Sequence, residues 1–334
     1  MAAAQTQTEA SPRRIDVHHH FQTESYLDFL KAHNQVSPGK WILSADLDDM
    51  DKNGTATAIL SISSPLFGFG EKEEVRKVVR ECNEAAAQLR ADHPGRFGVF
   101  AAIPLNDTDG ALREAEYALD TLKADGIGLF SSYEDKWLGH PSFAPVYEEL
   151  NRRKVVAYVH PTLAPCCANL QKLLPSVPNE FATIEFGADT TRAIADLIFS
   201  GTTTRFPDMQ WIFSHAGGTM PFTIERFLVG TSAEVVPGIV TKGVNAEVPK
   251  NVPKGALYEL RKMYYDTAQS SNPVAMRALR EVVPVSQIVF GTDYWYRTAA
   301  ETGRGLVTSK VFNAEELSAI NRGNAERILP RYRT

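Results

Sequence analysis

Eight short apolar or β-branched runs punctuate the chain, with helical stretches between most of them. That alternation limits the fold more than any other feature. The runs are residues 15–18, 57–62, 97–103, 127–130, 155–159, 210–214, 263–265 and 287–290. Most are continuously apolar, which suits parallel strands buried on both faces. Between them, residues 71–92 carry Val75, Val78, Val79 and Cys82 at helical spacing, and residues 109–124 carry Leu112, Ala115, Leu119 and Leu122. Residues 143–153, 190–200 and 274–283 follow the same pattern. Ser44 is placed to cap a helix holding Leu47 and Met50, and Gly54 to end it. Eight strands alternating with helices predict an α/β fold, a (β/α)8 TIM barrel over residues 13–334. A doubly wound open sheet is the alternative, weakened because no glycine-rich phosphate loop follows an early strand. Residues 1–12 are polar and small and are expected to form a disordered leader.

Composition removes several functions. The net charge is −5 and no basic stripe is present, so nucleic acid is not an expected partner. No run of about 20 apolar residues offers a membrane span. The first residues lack an apolar signal core, and a cytoplasmic protein is expected. Three cysteines, two of them adjacent at Cys166 and Cys167, do not make a disulfide framework. Two long irregular stretches, 161–182 and 229–255, follow the fifth and sixth strands. In a barrel they lie at the mouth or rim, where lids and subunit contacts are built.

The chemistry concentrates at strand ends. In Asp16-Val17-His18-His19-His20, alternation along the strand puts His18 and His20 on one side and His19 on the other. Two imidazoles on one face can hold one metal ion; a chance surface cluster or a tag remnant is the alternative. His160 ends the fifth strand and His215 the sixth. A barrel gathers all strand C-termini around one mouth, so these four of the eight histidines should converge. The eighth strand runs into Phe290-Gly291-Thr292-Asp293, whose carboxylate reaches the same mouth, to ligate a metal or exchange a proton. Nitrogen and oxygen ligands with one position left open describe a catalytic site. Zinc is the expected ion, with manganese the alternative. After Asp293, Tyr296 can help sandwich a planar ring and Arg297 can pair with a carboxylate. Phe67 is a rim aromatic of the same kind, whereas a loop merely packed on the rim is the alternative for all three. His33 and His93 are expected to be solvated, His140 to sit within reach of a lid, and the cysteine pair to be small loop residues.

These segments resemble the amidohydrolase superfamily, in the decarboxylase branch that includes 2-amino-3-carboxymuconate 6-semialdehyde decarboxylase, γ-resorcylate decarboxylase and iso-orotate decarboxylase. The resemblance runs from about Arg14 to Leu329. It rests on DVHHHF, LDDMDKNGTATAILS, HPGRFGVFAAIPL, the LGHPSF segment, RFPDMQWIFSHAGGTMPF, IVFGTDYWY and NRGNAERIL. Within the branch the chain is most similar to the 6-methylsalicylate decarboxylases. The resemblance implies that His18, His20, His160 and Asp293 hold one divalent metal, with His215 beside it as an acid–base or hydrogen-bonding group. Arg226 matches a recurrent arginine of the branch and is expected to be structural. Binuclear relatives bridge two metals with a strand-four lysine; here that strand reads GIGLFS, so one metal is expected. The implied activity is non-oxidative decarboxylation of an ortho-hydroxy aromatic acid. Asp293 and His215 are then the catalytic pair and a small aromatic acid the ligand. Hydrolysis of a lactone or amide, or a barrel that only binds a ligand, are the alternatives. The resemblance and the apolar stretch 229–240 together suggest a homodimer.

Overall fold

The computed structural model describes residues 12–333 except 38, 66, 68, 168, 180 and 230–249. The barrel strands are β1 (Arg14–Phe21), β2 (Thr55–Ile62), β3 (Phe97–Ala102), β4 (Gly126–Phe130), β5 (Val156–His160), β6 (Gln210–Phe213), β7 (Tyr264–Asp266) and β8 (Ile288–Val289). They pair in sequence order and in parallel, as the expected (β/α)8 barrel requires. The seam between β8 and β1 is stitched by Val17 N–H to Phe290 O at 3.0 Å, Asp293 N–H to His18 O at 2.9 Å and His20 N–H to Tyr294 O at 3.0 Å.

Period-two alternation sorts the strand residues into two apolar layers. Ile15, Val17, Ile59, Phe100, Tyr158, Ile212, Tyr264 and Val289 pack together inside the barrel. Leu60, Val99, Ala157, Phe213, Tyr265 and Ile288 belong to the outer layer, against the helices. Those helices include α1 (Glu24–Ala32), α2 (Leu43–Asn53), α3 (Lys72–Asp92), α4 (Thr108–Glu116), α5 (Ala144–Arg152), α6 (Phe186–Phe199), α7 (Pro273–Val282) and α8 (Ala299–Ser309). Ala325, Leu329 and Tyr332 close the N-terminal end of the barrel interior, leaving the C-terminal end open for a site.

Some expectations are corrected. Ser44 lies inside α2, whose N-cap is Ile42 with no side-chain cap. Gly54 does end it, at φ +71°, a conformation that favours glycine. A two-stranded hairpin, Ser132–Tyr133 with Lys136–Trp137, follows β4 and had no signature in the apolar pattern. The proposed leader, apart from Pro12, and nearly all of the apolar stretch 229–240 lie outside the described residues. No helix among the described residues is long and apolar enough to cross a membrane.

Candidate functional site

β1 delivers the first two side chains through an irregularity. Ile15 and Val17 point into the barrel, and strict alternation would then turn His18 outward. The register with β2 shifts between Asp16 and His19, a β-bulge that resets the alternation. His18 and His20 therefore both face the mouth, with ring centroids 4.9 Å apart. His19 takes the opposite side, buried between Asp16 and Asp46 at 2.9 Å from each. His160 keeps the parity of Tyr158 on β5, its ring 5.1 Å from His18 and 4.8 Å from His20. His215 and Asp293 follow β6 and β8 at φ +53° and +67°. Non-glycine residues held there cost on the order of 1–3 kcal/mol each, a strain that clusters at working sites.

Every β1 and β5 imidazole at the mouth has its Nδ1 engaged. His18 Nδ1 lies 2.8 Å from Asp266 Oδ2, His20 Nδ1 3.3 Å from Ser61 O, and His160 Nδ1 2.7 Å from Pro161 O. With Nδ1 facing an acceptor in each case, the neutral form of each ring keeps its proton there and turns the Nε2 lone pair to the mouth. His18 Nε2 and His20 Nε2 are 3.1 Å apart, and Asp293 Oδ1 is 3.2 and 3.1 Å from them. Three lone-pair atoms thus crowd one point, and Oδ1 accepts no hydrogen bond. Ligands about 2.1 Å from one ion lie about 3.0–3.4 Å apart, so a divalent metal fits this triangle. His18, His160, His215 and Asp293 also present ligand atoms that all lie within 4.8 Å of one another.

The electrostatics favour a cation. Burial opposes charge on His18, but Asp266 and Asp293 outweigh it and push the imidazole up to about 10, so the two carboxylates draw a positive charge to this point, a proton on Nε2 or an ion in its place. Burial would raise Asp293, yet the charge on His18 and the close imidazoles of His18, His20 and His215 hold it well below the usual carboxylate range. Burial, reinforced by the neighbouring imidazoles, drives His160 well below its ordinary value and favours the neutral form. His215 Nε2 stands 3.2 Å from Asp293 Oδ2, the oxygen remote from the triangle.

The amidohydrolase family model matches residues 15–331. The chain belongs to the amidohydrolase family. A decarboxylase from Aspergillus niger is 34% identical to it over 96% of this chain and 88% of its own length. A 6-methylsalicylic acid decarboxylase from Penicillium expansum is 35% identical over 84% of each. A dihydroxybenzoic acid decarboxylase from Polaromonas, solved with bound manganese and 2-nitroresorcinol, superposes with TM-score 0.78 at 20% identity. That match spans 96% of this chain and 98% of the other and supports the fold.

Beside the histidines, this amidohydrolase has a cavity of about 310 Å³. Phe181, Phe186 and Tyr296 give it aromatic walls, and Gln269, Arg297 and Asp293 give it polar ones. Tyr296 and Arg297 thus line the cavity. Phe67 does not: it is 5% exposed, with its ring against Tyr26 and Phe29, a core position rather than a cavity wall. His140 caps a short turn by accepting from Ser142 N–H. Tyr294 stacks on His19, 4.6 Å between centroids. Arg226 is exposed on the helix Ile224–Leu228. His33 is partly solvated, its side chain 24% exposed and 3.0 Å from Glu74. Sequence reasoning missed two residues of the site. Asp266 ends β7 and, besides His18, accepts from the N–H groups of His215 and Ala268 at 2.9 Å each. Gln269 donates to Asp293 Oδ2. The available signal for Asp266 was an acidic residue closing the seventh apolar run.

Proposed function

We propose that this protein decarboxylates an ortho-hydroxy aromatic acid of the salicylate type, such as 6-methylsalicylate. The reaction is metal-dependent and non-oxidative. His18, His20, His160 and Asp293 would hold the ion, which is zinc in this reading, and His215 would stand beside it. The observation that carries the reading is the triangle of lone-pair atoms on His18, His20 and Asp293. It opens on a cavity sized for one aromatic ring and walled by Phe181, Phe186 and Tyr296. Both curated relatives above are named decarboxylases, one of them of 6-methylsalicylic acid.

A bound divalent ion, held by His18, His20, His160 and Asp293, would supply Lewis acidity to such an acid. The protein's own groups handle the ring and the proton. Phe181, Phe186 and Tyr296 pack the ring and exclude water, and Arg297 meets a negative edge at the cavity rim. Asp293, which lines the cavity, is placed to take the substrate's hydroxyl proton, which a bound ion would acidify. It returns that proton to the ring carbon bearing the carboxylate, while His215 holds Oδ2. The carbon–carbon bond then breaks, CO₂ leaves, its bonding pair restores the aromatic phenolate, and Asp293 is again ionised. The test is a panel of salicylates scored for CO₂ release in D₂O. The expected result is one deuterium at the former carboxylate carbon and no turnover of benzoates lacking the ortho hydroxyl. Ring-opened acids from lactones, with no CO₂ from any salicylate, would assign the site to hydrolysis.

A homodimer is part of the same reading. Phe222 and Val229 are 89% and 60% exposed just before the undescribed stretch, and apolar surface of that kind seeks a partner. Light scattering at micromolar concentration should return twice the 36.9 kDa chain mass; a monomer mass refutes it. The proposed compartment is the cytoplasm, consistent with Cys82, Cys166 and Cys167 all being free thiols.

A further inference from the structure

The two oxygens of Asp293 are not equivalent. Oδ1 faces the Nε2 atoms of His18 and His20 and accepts no hydrogen bond. Oδ2 accepts from His215 Nε2 at 3.2 Å and from the side-chain amide of Gln269. A carboxylate can only accept, so the amide nitrogen of Gln269, not its oxygen, must face Oδ2. The backbone of Asp293 is fixed separately, through its N–H to His18 O at 2.9 Å. What remains free is rotation of the carboxylate about its last bond. Two donors on one oxygen stop that rotation, and one donor alone leaves a pivot.

Gln269 is held for this contact. It sits at φ +49°, in the left-handed region, three residues beyond Asp266. Asp266 Oδ1 accepts from Ala268 N–H, and Ser270 N–H closes on Thr267 O at 3.1 Å. The turn after β7 therefore reaches two residues of the triangle at once. Asp266 grips His18 from below, and Gln269 grips Asp293 from the cavity side, where it is exposed and lines the wall.

We propose that Gln269 is a positioning residue that, with His215, fixes Asp293 so that Oδ1 alone is offered to the metal and Oδ2 is kept for the substrate side. This rests on the metal-dependent reading above. Loss of the amide lets Oδ2 swing toward the ion, which makes the carboxylate a two-oxygen ligand and takes the second oxygen away from the reacting ring.

The test compares the wild type with Gln269→Leu, each loaded with Co²⁺ and with Mn²⁺. Gln269 is exposed, so the leucine variant should fold, and an unchanged circular-dichroism spectrum verifies that. Three readouts are taken: the visible absorption of the Co²⁺ form, the rate of ion transfer to a chelator, and kcat and KM separately on a salicylate that the wild type turns over. The expected result is an altered Co²⁺ band, an ion-transfer rate changed by about 10–100-fold, and a kcat lowered with KM little changed. A folded variant with the wild-type band and transfer rate overturns the role of Gln269, whatever its activity. A wild type that takes up neither ion overturns the metal-dependent reading itself, and this inference with it.

Discussion

Replacing His18 or His160 by alanine removes one Nε2 from the proposed ligand set, and alanine supplies no donor in its place. Either variant should purify with its metal content cut to near zero and without turnover, measured by elemental analysis and CO₂ release. Asp293→Asn keeps an oxygen for the ion but ends the proton exchange. It should retain metal and lose kcat by about 10²-fold or more, the scale of general acid–base catalysis; near-normal kcat with bound metal would refute the proton role. Asp266→Asn probes the layer behind. It weakens the acceptor that keeps the proton of His18 on Nδ1, and an effect of about 10–100-fold on metal affinity is expected from such support, read by chelator competition. These residues were unequally visible in the sequence. His18 and His20 announce themselves because a period of two puts them on one face. Asp266 and Gln269 do not, since an acid after two tyrosines and a glutamine in a turn carry no periodic mark. Their importance comes from contacts with residues more than 20 positions away.

At the level of elements, continuous burial on both faces made the eight strands readable, and each lies within a few residues of its expected place. Local exceptions were not readable. The bulge in β1 is set by how β1 and β2 must pair, which no single run encodes. Phe67 looked like a rim aromatic, yet α1 supplies Tyr26 and Phe29 to bury it. Helix α5 offers a test of pH. Arg152 and Arg153 hold the Glu149 carboxyl down at about 2, with Arg152 Nη2 at 2.6 Å. The bound pKa lies below the free one of about 4.3, so this stabilisation is complete above that pH and is lost as pH falls through about 2. Glu149→Gln should therefore lower the thermal midpoint slightly at pH 7, by an amount limited because the pair is partly exposed. The gap to wild type should close by pH 2. A gap that stayed constant with pH would show that the pairing contributes nothing.

For the molecule as a whole, the proposed ligands come from β1, β5 and the segment after β8, so an ion would tie together residues 275 positions apart, His18 and Asp293. An ion that binds only the closed barrel at a hundredfold excess over its Kd adds about 2.7 kcal/mol. Treatment with a chelator should lower the unfolding midpoint, and returning Mn²⁺ or Zn²⁺ should restore it; an unchanged midpoint would mean that no ion bridges the seam. That seam has a further consequence. Asp16, on the first strand, accepts both from the N–H and from the hydroxyl of Thr292, 276 residues later. During synthesis the first strand waits for its partner until residue 292, 276 positions after Asp16, has been added. A growing chain still missing residue 293 has two imidazoles and no carboxylate to complete the triangle. If Asp293 has the proposed role, a chain interrupted before residue 293 is inert rather than a half-working enzyme.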